Sequence, residues 1–416
     1  MMKIFTPHRS LISAFALASV ALSLCAQSFT VHFKNGSTQT YNHSDVDRIS
    51  FSPDSYEPGG NETFTFTDPA NTYIVSRAGN YEFYTKLPSG KNIEGVEKVD
   101  WIWAQKSDPA DTDQHLVSDV SYSDGKVSFT ATGNYGNAVL AAFNGEGKII
   151  WVWLLWMTPA PEDKKLEGGD LILDRFMGAT GATKEDGNKA WGVVHYQWGR
   201  PVPIFGGYID EWSSAGETFN EARKWTVMNP AYGLEWKTEN RYATLEESIA
   251  APTTFFTGAP AGRWMSEMDY TLWGEEKTDL DPSPAGYKIP VGDEWGDSYL
   301  DRIELEEDES GAYYSFDGSV SWFPHGSQNR LYDTGEHVVG FPGYMCWNSS
   351  VVIRDDMGVL DNPKFQDYTL EELIAMRLVD RYVSRLSVSC QVGGLSEVKC
   401  MANSSFSLPI RCVKIK

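Results

Sequence analysis

Residues 28–52, SFTVHFKNGSTQTYNHSDVDRISFS, alternate apolar and polar positions around an Asn-Gly pair at 35–36. A period of two marks a strand with one covered face, and Asn-Gly favours the two-residue turn whose twist matches its flanking strands. The segment predicts a β-hairpin followed by a third short strand at Arg48–Phe51. PDSYEPGGNE (53–62) then has the Pro, Gly and Ser content of a linker. Between 63 and 158 come the runs TFTF, NTYIV, GNYEFYTKL, KVDWIWAQ, VSDVSYSDGKVSFTA, GNAVLAAFN and KIIWVWLLWM. Turn chemistry such as SDGK (123–126) and NGEGK (144–148) separates them. Short strands at this spacing, without a long helical period, predict a β-sandwich of immunoglobulin-like size over 60–160. The last run is apolar at nearly every position, so it is either buried on both faces or covered by the next domain. MTPAPEDKKLEGGD (157–170) reads as a domain boundary.

Beyond Asp170 the period fades. Gly, Pro, Trp and Tyr are scattered, and only three stretches carry a helical pattern: 217–225, 291–307 and 369–383. The second aligns Trp295, Tyr299 and Ile303. The third aligns Leu370, Leu373, Ile374 and Leu378, with Thr369 and Glu372 placed as a capping box. No internal repeat or low-complexity tract is read.

The N-terminus adds a location. MMKIFTPHRS is basic, LISAFALASVALSL is apolar, and CAQS supplies small residues at the exit, which together read as a secretory signal peptide with cleavage after Ala26. A lipoprotein reading through Cys25 is the lesser alternative, because Leu24 stands where a small residue precedes a lipidated cysteine. No later stretch approaches the length of a membrane span. Composition narrows the partners: 35 basic residues against 57 acidic give a formal net charge of −22, a surface that repels nucleic acid and anionic lipid. Fifteen Trp suit loop-rich β domains, where a few large rings replace helix packing. Cys346, Cys390, Cys400 and Cys412 all lie near the C-terminus. In an oxidising compartment they allow two disulfides in any of three pairings, while buried free thiols are an equal alternative.

Several segments in fixed order carry a resemblance. GDLILDRFMGATGAT (169–183) precedes VVHYQWGRPVPIF (193–205), SPAGYKIPVGDEW (283–295), YMCWNSSV (344–351) and NSSFSLPIRCVKIK (403–416). Together they resemble the Fibrobacter succinogenes major paralogous (FISUMP) domain of secreted and surface proteins, over about 165–416. The stretch before them is similar to modules found upstream in surface proteins of the fimbrillin-like or fimbrial-tip kind. The resemblance implies a C-type-lectin-like fold for 166–416. Two segments depart from the family pattern: LDRFMGA has Phe176, and GRPVPIF has Pro201 and Val202 at a turn that is polar in the family. In the same way GYKIPVGDEW and IRCVK resemble formylglycine-generating-enzyme-like domains, which share that fold. Their redox cysteine pair is closely spaced, unlike Cys390 and Cys400.

Catalytic patterns are weak. Gly-Asp-Ser at 296–298 falls within an expected helix, and no HExxH, GxSxG, P-loop or GxGxxG opening a helix occurs. The acidic runs ELEEDES (304–310), RDDMGVLDN (354–362) and EEKTDLDPS (275–283) offer oxygen ligands without the spacing of an EF-hand. No metal or cofactor is therefore assigned. The aromatics that recur with the family motifs, Tyr196, Trp198, Trp295 and Trp347, are expected in the core. Trp264, Trp273, Tyr313, Tyr314, Trp322 and Phe323 lie in loops outside the motifs and are the candidate ligand platform.

The expectation is a mostly β chain: signal peptide 1–26, hairpin and linker 27–59, β-sandwich 60–160, and a C-type-lectin-like α+β domain over 166–416. It is secreted or held at the outer-membrane surface and binds or adheres without catalysis. Its ligand is a glycan or protein, with fimbrial subunits as further partners. A structural pilus-type subunit and a formylglycine-generating-type catalytic domain are the alternatives.

Overall fold

The computed structural model describes residues 28–32, 38–42, 63–107, 115–166, 169–190, 194–205, 226–292, 303–308, 311–316, 319–324, 329–330, 337–338, 343–389 and 397–416. Two compact units divide the chain, Met1–Asn61 and Glu62–Lys416. In the first, β1 (Ser28–His32) and β2 (Thr38–Asn42) pair antiparallel, with Ser28 opposite Asn42 and His32 opposite Thr38. That is the expected hairpin. Its Asn-Gly turn, the strand expected at Arg48–Phe51 and the signal segment lie outside the described residues.

The second unit is mostly β and holds several sheets. Its opening strands are β3 (Thr63–Phe66), β4 (Thr72–Val75), β5 (Gly79–Tyr84), β6 (Lys98–Lys106), β7 (Val117–Ser123), β8 (Lys126–Ala131), β9 (Gly136–Phe143) and β10 (Ile149–Met157). Each falls on a run expected to be a strand. β3-β5-β8-β7 form one sheet, and β6-β9-β10-β4 belong to another. The β7–β8 turn places Asp124 and Gly125 at φ of 52° and 74°, the left-handed pair that a two-residue hairpin turn requires. A chain of rings joins the sheets. Phe66 packs 4.8 Å from Tyr73, Tyr73 4.3 Å from Phe83, and Phe83 5.2 Å edge-on from Trp153.

The later strands are short: β11 (Asp163–Lys165), β12 (Leu171–Leu173), β13 (Val194–Gln197), β14 (Ile204–Phe205), β15 (Val227–Met228), β16 (Lys237–Glu239), β17 (Thr254–Phe256) and β18 (Tyr287–Lys288). Then come β19 (Ile303–Asp308), β20 (Gly311–Phe316), β21 (Ser319–Pro324), β22 (Asn329–Arg330), β23 (His337–Val338), β24 (Gly343–Arg354), β25 (Asp380–Ser389), β26 (Glu397–Ala402), β27 (Ser407–Leu408) and β28 (Val413–Lys414). They make the sheets β11-β12-β28-β18, β14-β13-β27-β22-β23, β16-β17, β19-β20-β21 and β24-β25-β26.

The boundary expected at 157–170 does not divide the unit. β11 lies within that stretch and pairs with β12, and β15 joins the β6 edge of the first large sheet. The apolar run of β10 explains why. Trp153 meets Phe83 on one face. On the opposite face Trp156 donates its indole N–H to the Ala179 carbonyl at 2.8 Å. Beside it the Asn137 amide donates to Gly178 O at 2.9 Å, and the helix Leu245–Ala250 packs on the same strand. At the β4 edge, Asn71 donates to the carbonyls of Asp279 and Asp281, both at 2.9 Å, and accepts the Trp151 indole N–H at 3.1 Å. Thr72 adds a bond of 2.6 Å to Pro282 O. One hydrophobic core therefore runs from Ala70 to Cys412.

Two helix expectations change. Of 291–307, residues 303–308 form β19, paired antiparallel with β20. The sequence IELEED alternates there with period two, and cross-strand pairing outweighs the helical preference of its acids. Residues 217–225 and 293–302 lie outside the described residues. In 369–383 the helix covers only Leu370–Ala375. Arg377 then takes a φ of 58°, and β25 begins at Asp380. A second helix went unread, although TLEESIA (244–250) nearly repeats TLEELIA (369–375). Each starts with a Thr side chain accepting the N3 amide while Glu247 or Glu372 reaches back to the cap.

Replacing Asn71 with Ala removes two bonds across the expected boundary and strands the Trp151 indole N–H. Each buried group left without a partner costs about 1–3 kcal/mol. The Asn71→Ala chain is expected to unfold at lower urea, in one transition seen alike by tryptophan fluorescence and circular dichroism. Two separated transitions would show that the halves are independent.

Candidate functional site

The segment around β13 is the most densely bonded part of the core. Val194, Tyr196 and Trp198 are all fully buried, and Gly199 makes the turn at φ 81°, where an added Cβ would strike Leu272. Three indoles are pinned to carbonyls here: Trp347 to Tyr196 O at 2.5 Å, Trp264 to Trp198 O at 2.8 Å and Trp198 to Asn348 O at 3.1 Å. Arg200 is completely buried and faces no carboxylate among its bonded partners. Its guanidinium donates to Gln197 Oε1 (3.1 Å) and to the carbonyls of Thr254 (2.8 Å), Ser248 (2.6 Å) and Ala251 (2.9 Å). Ser248 and Ala251 lie at the C-terminal end of the helix Leu245–Ala250, where the dipole favours a cation. Burial pushes the guanidinium down to about 9, so it stays charged at neutral pH. Gln197 completes the knot by donating to Phe256 O and Ser405 O.

Arg411, in the closing IRCVK segment, does the same work elsewhere. It is fully buried, donates to Leu173 O, Trp322 O and Ser321 Oγ, and lies 3.8 Å over the Phe323 ring. Both arginines use their planar forks to satisfy carbonyls that loops leave unpaired inside the core.

The candidate ligand platform is corrected by burial. Trp264, Trp273, Tyr314, Trp322 and Phe323 are all buried, none more than 3% exposed. Trp273 donates to Leu280 O and packs 5.4 Å from Trp198. Tyr314 stacks edge-on with Phe323. Only Tyr313 is half-buried. Its hydroxyl accepts from the Lys184 amide and donates to Glu185, while its ring lies 4.7 Å from Trp322. These rings fill space that helices would fill in a more regular fold, which is why their loop context misled.

Of the two readings of the cysteines, the free-thiol one holds for Cys346 and Cys412. Cys346 and Cys412 are free thiols in the core, and burial pushes both up to about 12, so neither is a nucleophile at neutral pH. Cys412 donates to Ser283 Oγ at 3.2 Å. Cys390 and the Cys400 side chain lie outside the described residues. The acidic runs are likewise engaged locally. Asp281 accepts from the amides of Ser283 and Ile289 and pairs with Lys277 at 3.3 Å. Asp355 accepts from the amides of Val359 and Leu360, and those bonds hold its carboxyl below the usual range. Among the described residues, no three His, Cys, Asp or Glu side chains are placed to hold a metal ion, and no helix is long and apolar enough to cross a membrane.

The surface offers one distinctive feature. β24 and β25 form a long antiparallel hairpin whose last pair is Arg354 opposite Asp380. Its base is held at Trp347, whose amide donates to Pro409 O and whose indole reaches Tyr196. The tip, 355–379, lies roughly 20 Å along the strand from Trp347 and carries a small core of its own: Val359, Leu373 and Val379, with Phe365, Leu370, Ile374 and Leu378 against them. Of the ten exposed large apolar side chains among the described residues, four belong to this tip: Met357, Leu360, Tyr368 and Met376. Met357 is the most exposed, at 64%. The sequence marked this segment as an acidic run at 354–362 and a helix at 369–383. Its signal was a second apolar set, at 357, 360, 368 and 376, off the Leu370–Leu373–Ile374 stripe.

Comparison of the chain with known protein families, curated proteins and solved structures finds no match.

Lysine at position 200 keeps the charge but brings one nitrogen where the fork has three. Hydrogen bonds to charged groups are worth roughly 1.5–3 kcal/mol each. Arg200→Lys is therefore expected to lower the unfolding midpoint by a stability loss of about 2 kcal/mol or more. An unchanged midpoint in urea melts would show that the carbonyl knot contributes nothing.

Proposed function

We propose that the chain is an exported surface or fimbria-associated protein whose work is non-catalytic binding or adhesion. The observation that carries this reading is the division of labour between core and tip. The buried arginines are bonded to the chain's own backbone, whereas exposed apolar side chains gather on the hairpin tip 355–379. A densely bonded body carrying a tip with its own small core suits recognition, since binding residues sit best on excursions from a fixed scaffold. The signal-like N-terminus and the net charge of −22 fit an exported, soluble surface.

At a finer level, the two sheets of 63–157 meeting through Phe83 and Trp153 support a β-sandwich-type module. The short sheets, single-turn helices and indole-pinned loops beyond it support a C-type-lectin-like arrangement of the FISUMP kind. The sandwich would serve as spacer or assembly module. A common core fuses it to the later chain.

The test uses the whole exported chain from Gln27, because a 166–416 fragment would lack β10 and uncover the part of the later chain that packs on Trp156. Glycan and protein arrays probed with it are expected to show saturable binding to at least one ligand class. A chain that binds nothing, yet polymerises or co-purifies with fimbriae, would instead establish the structural-subunit alternative.

A further inference from the structure

Two independent features of the hairpin tip together name a partner. The first is the kind of apolar group exposed. Met357, Leu360 and Met376 are flexible or aliphatic, and the fourth, Tyr368, rests beside Phe365 at 6.2 Å. Sugar recognition relies on open aromatic faces, whereas exposed Met and Leu suit adaptable packing against another protein's apolar side chains. The second is charge. Residues 354–381 hold seven acids and four bases. Two of those bases are already neutralised, Arg354 by Asp356 and Arg381 by Glu371, each at 2.6 Å. Asp355 and Glu372 accept backbone amides that hold their carboxyls low, so both keep their charge into the acid range. Asp361 and Asp367 are exposed, as are the remaining bases Lys364 and Arg377.

Like charge argues against three occupants. Nucleic acid and anionic lipid are repelled, and a second copy brings another net −22. We propose that the hairpin tip 355–379 is the docking surface for a cationic, amphipathic protein segment, whose apolar side chains pack on Met357, Leu360 and Met376 while its Lys or Arg residues meet the acidic rim. This rests on the proposed binding role and specifies its partner class. The tip is also well placed to keep its shape on binding. Its core is separate from the main one, its helix carries a full capping box, and its base is clipped where Tyr270 donates to Arg381 O at 2.6 Å. Little ordering entropy is then lost on docking.

The experiment measures fluorescence anisotropy of three labelled model peptides with the whole chain from Gln27 at physiological ionic strength. They are an amphipathic Leu/Lys helix, its Leu/Glu counterpart, and the Lys helix with every Leu replaced by Ser. The Leu/Lys peptide is expected to bind, with the other two at least about tenfold weaker. The triple variant Met357→Ser, Leu360→Ser, Met376→Ser leaves the charge unchanged. It is expected to weaken Leu/Lys binding by about tenfold or more while keeping the urea midpoint, because these side chains are exposed. Equal binding by the triple variant would assign the affinity to general acidity and overturn the proposal. Equal binding of the Leu/Glu peptide, or no binding of any peptide, would also overturn it. Glycan and protein arrays separate the two claims: array ligands retained by the triple variant leave the general binding role standing when the tip proposal fails.

Discussion

β9 and β10 pair from Phe143 opposite Ile149 to Gly136 opposite Met157, and every side chain but Ile150 is buried. A strand pair without a wet face needs an apolar layer on each side, and the first sheet module can supply only one. Phe83 and its neighbours cover the Trp153 face, so the Trp156 face must be covered by later chain. At the usual rate of about 25 cal/mol per Å2 of apolar surface removed from water, leaving the Trp156 face of β10 open would cost several kcal/mol. The coupling of the two halves, the stitching through Asn71 and Asn137, and the continuity of the core all stem from that demand.

The later chain meets it without long helices or long sheets, and this creates a second problem. Loops inside a core carry carbonyls that no ladder satisfies. The chain answers with indole N–H groups and two buried guanidiniums. Trp156, Trp198, Trp264, Trp347 and both guanidiniums reach backbone oxygen, and each also brings a large apolar face to the packing. Aromatic-rich composition and irregular backbone are therefore two sides of one solution.

The strands of 63–157 were legible because alternation, or in β9 and β10 an apolar run, marks them locally, and the turns at Asp124-Gly125 and Asn144 carry their own chemistry. β19 was misread because six residues of Ile, Leu and acid fit either period, and the partner that decides, GAYYSF, is a separate element. The exposure of Trp264 and Trp273 was misjudged for a related reason. Loop context says where the backbone is irregular, but burial depends on what distant segments cover. Tyr196, Trp198 and Trp347, expected in the core, are buried there. What the sequence could not reveal is that the hairpin tip folds its own small core, since Val359, Leu373 and Val379 meet only once Arg354 pairs with Asp380.

Native-state hydrogen exchange on the chain from Gln27 tests the central claim most directly. If the Trp156 face of β10 is closed by the later chain, amides of β9 and β10 and those of Leu173, Met177 and Ile289 open together, at the free energy of global unfolding. If 170–290 instead opens at markedly lower free energy while β9 and β10 stay protected, the strand pair does not depend on its cover, and the single-core account is wrong.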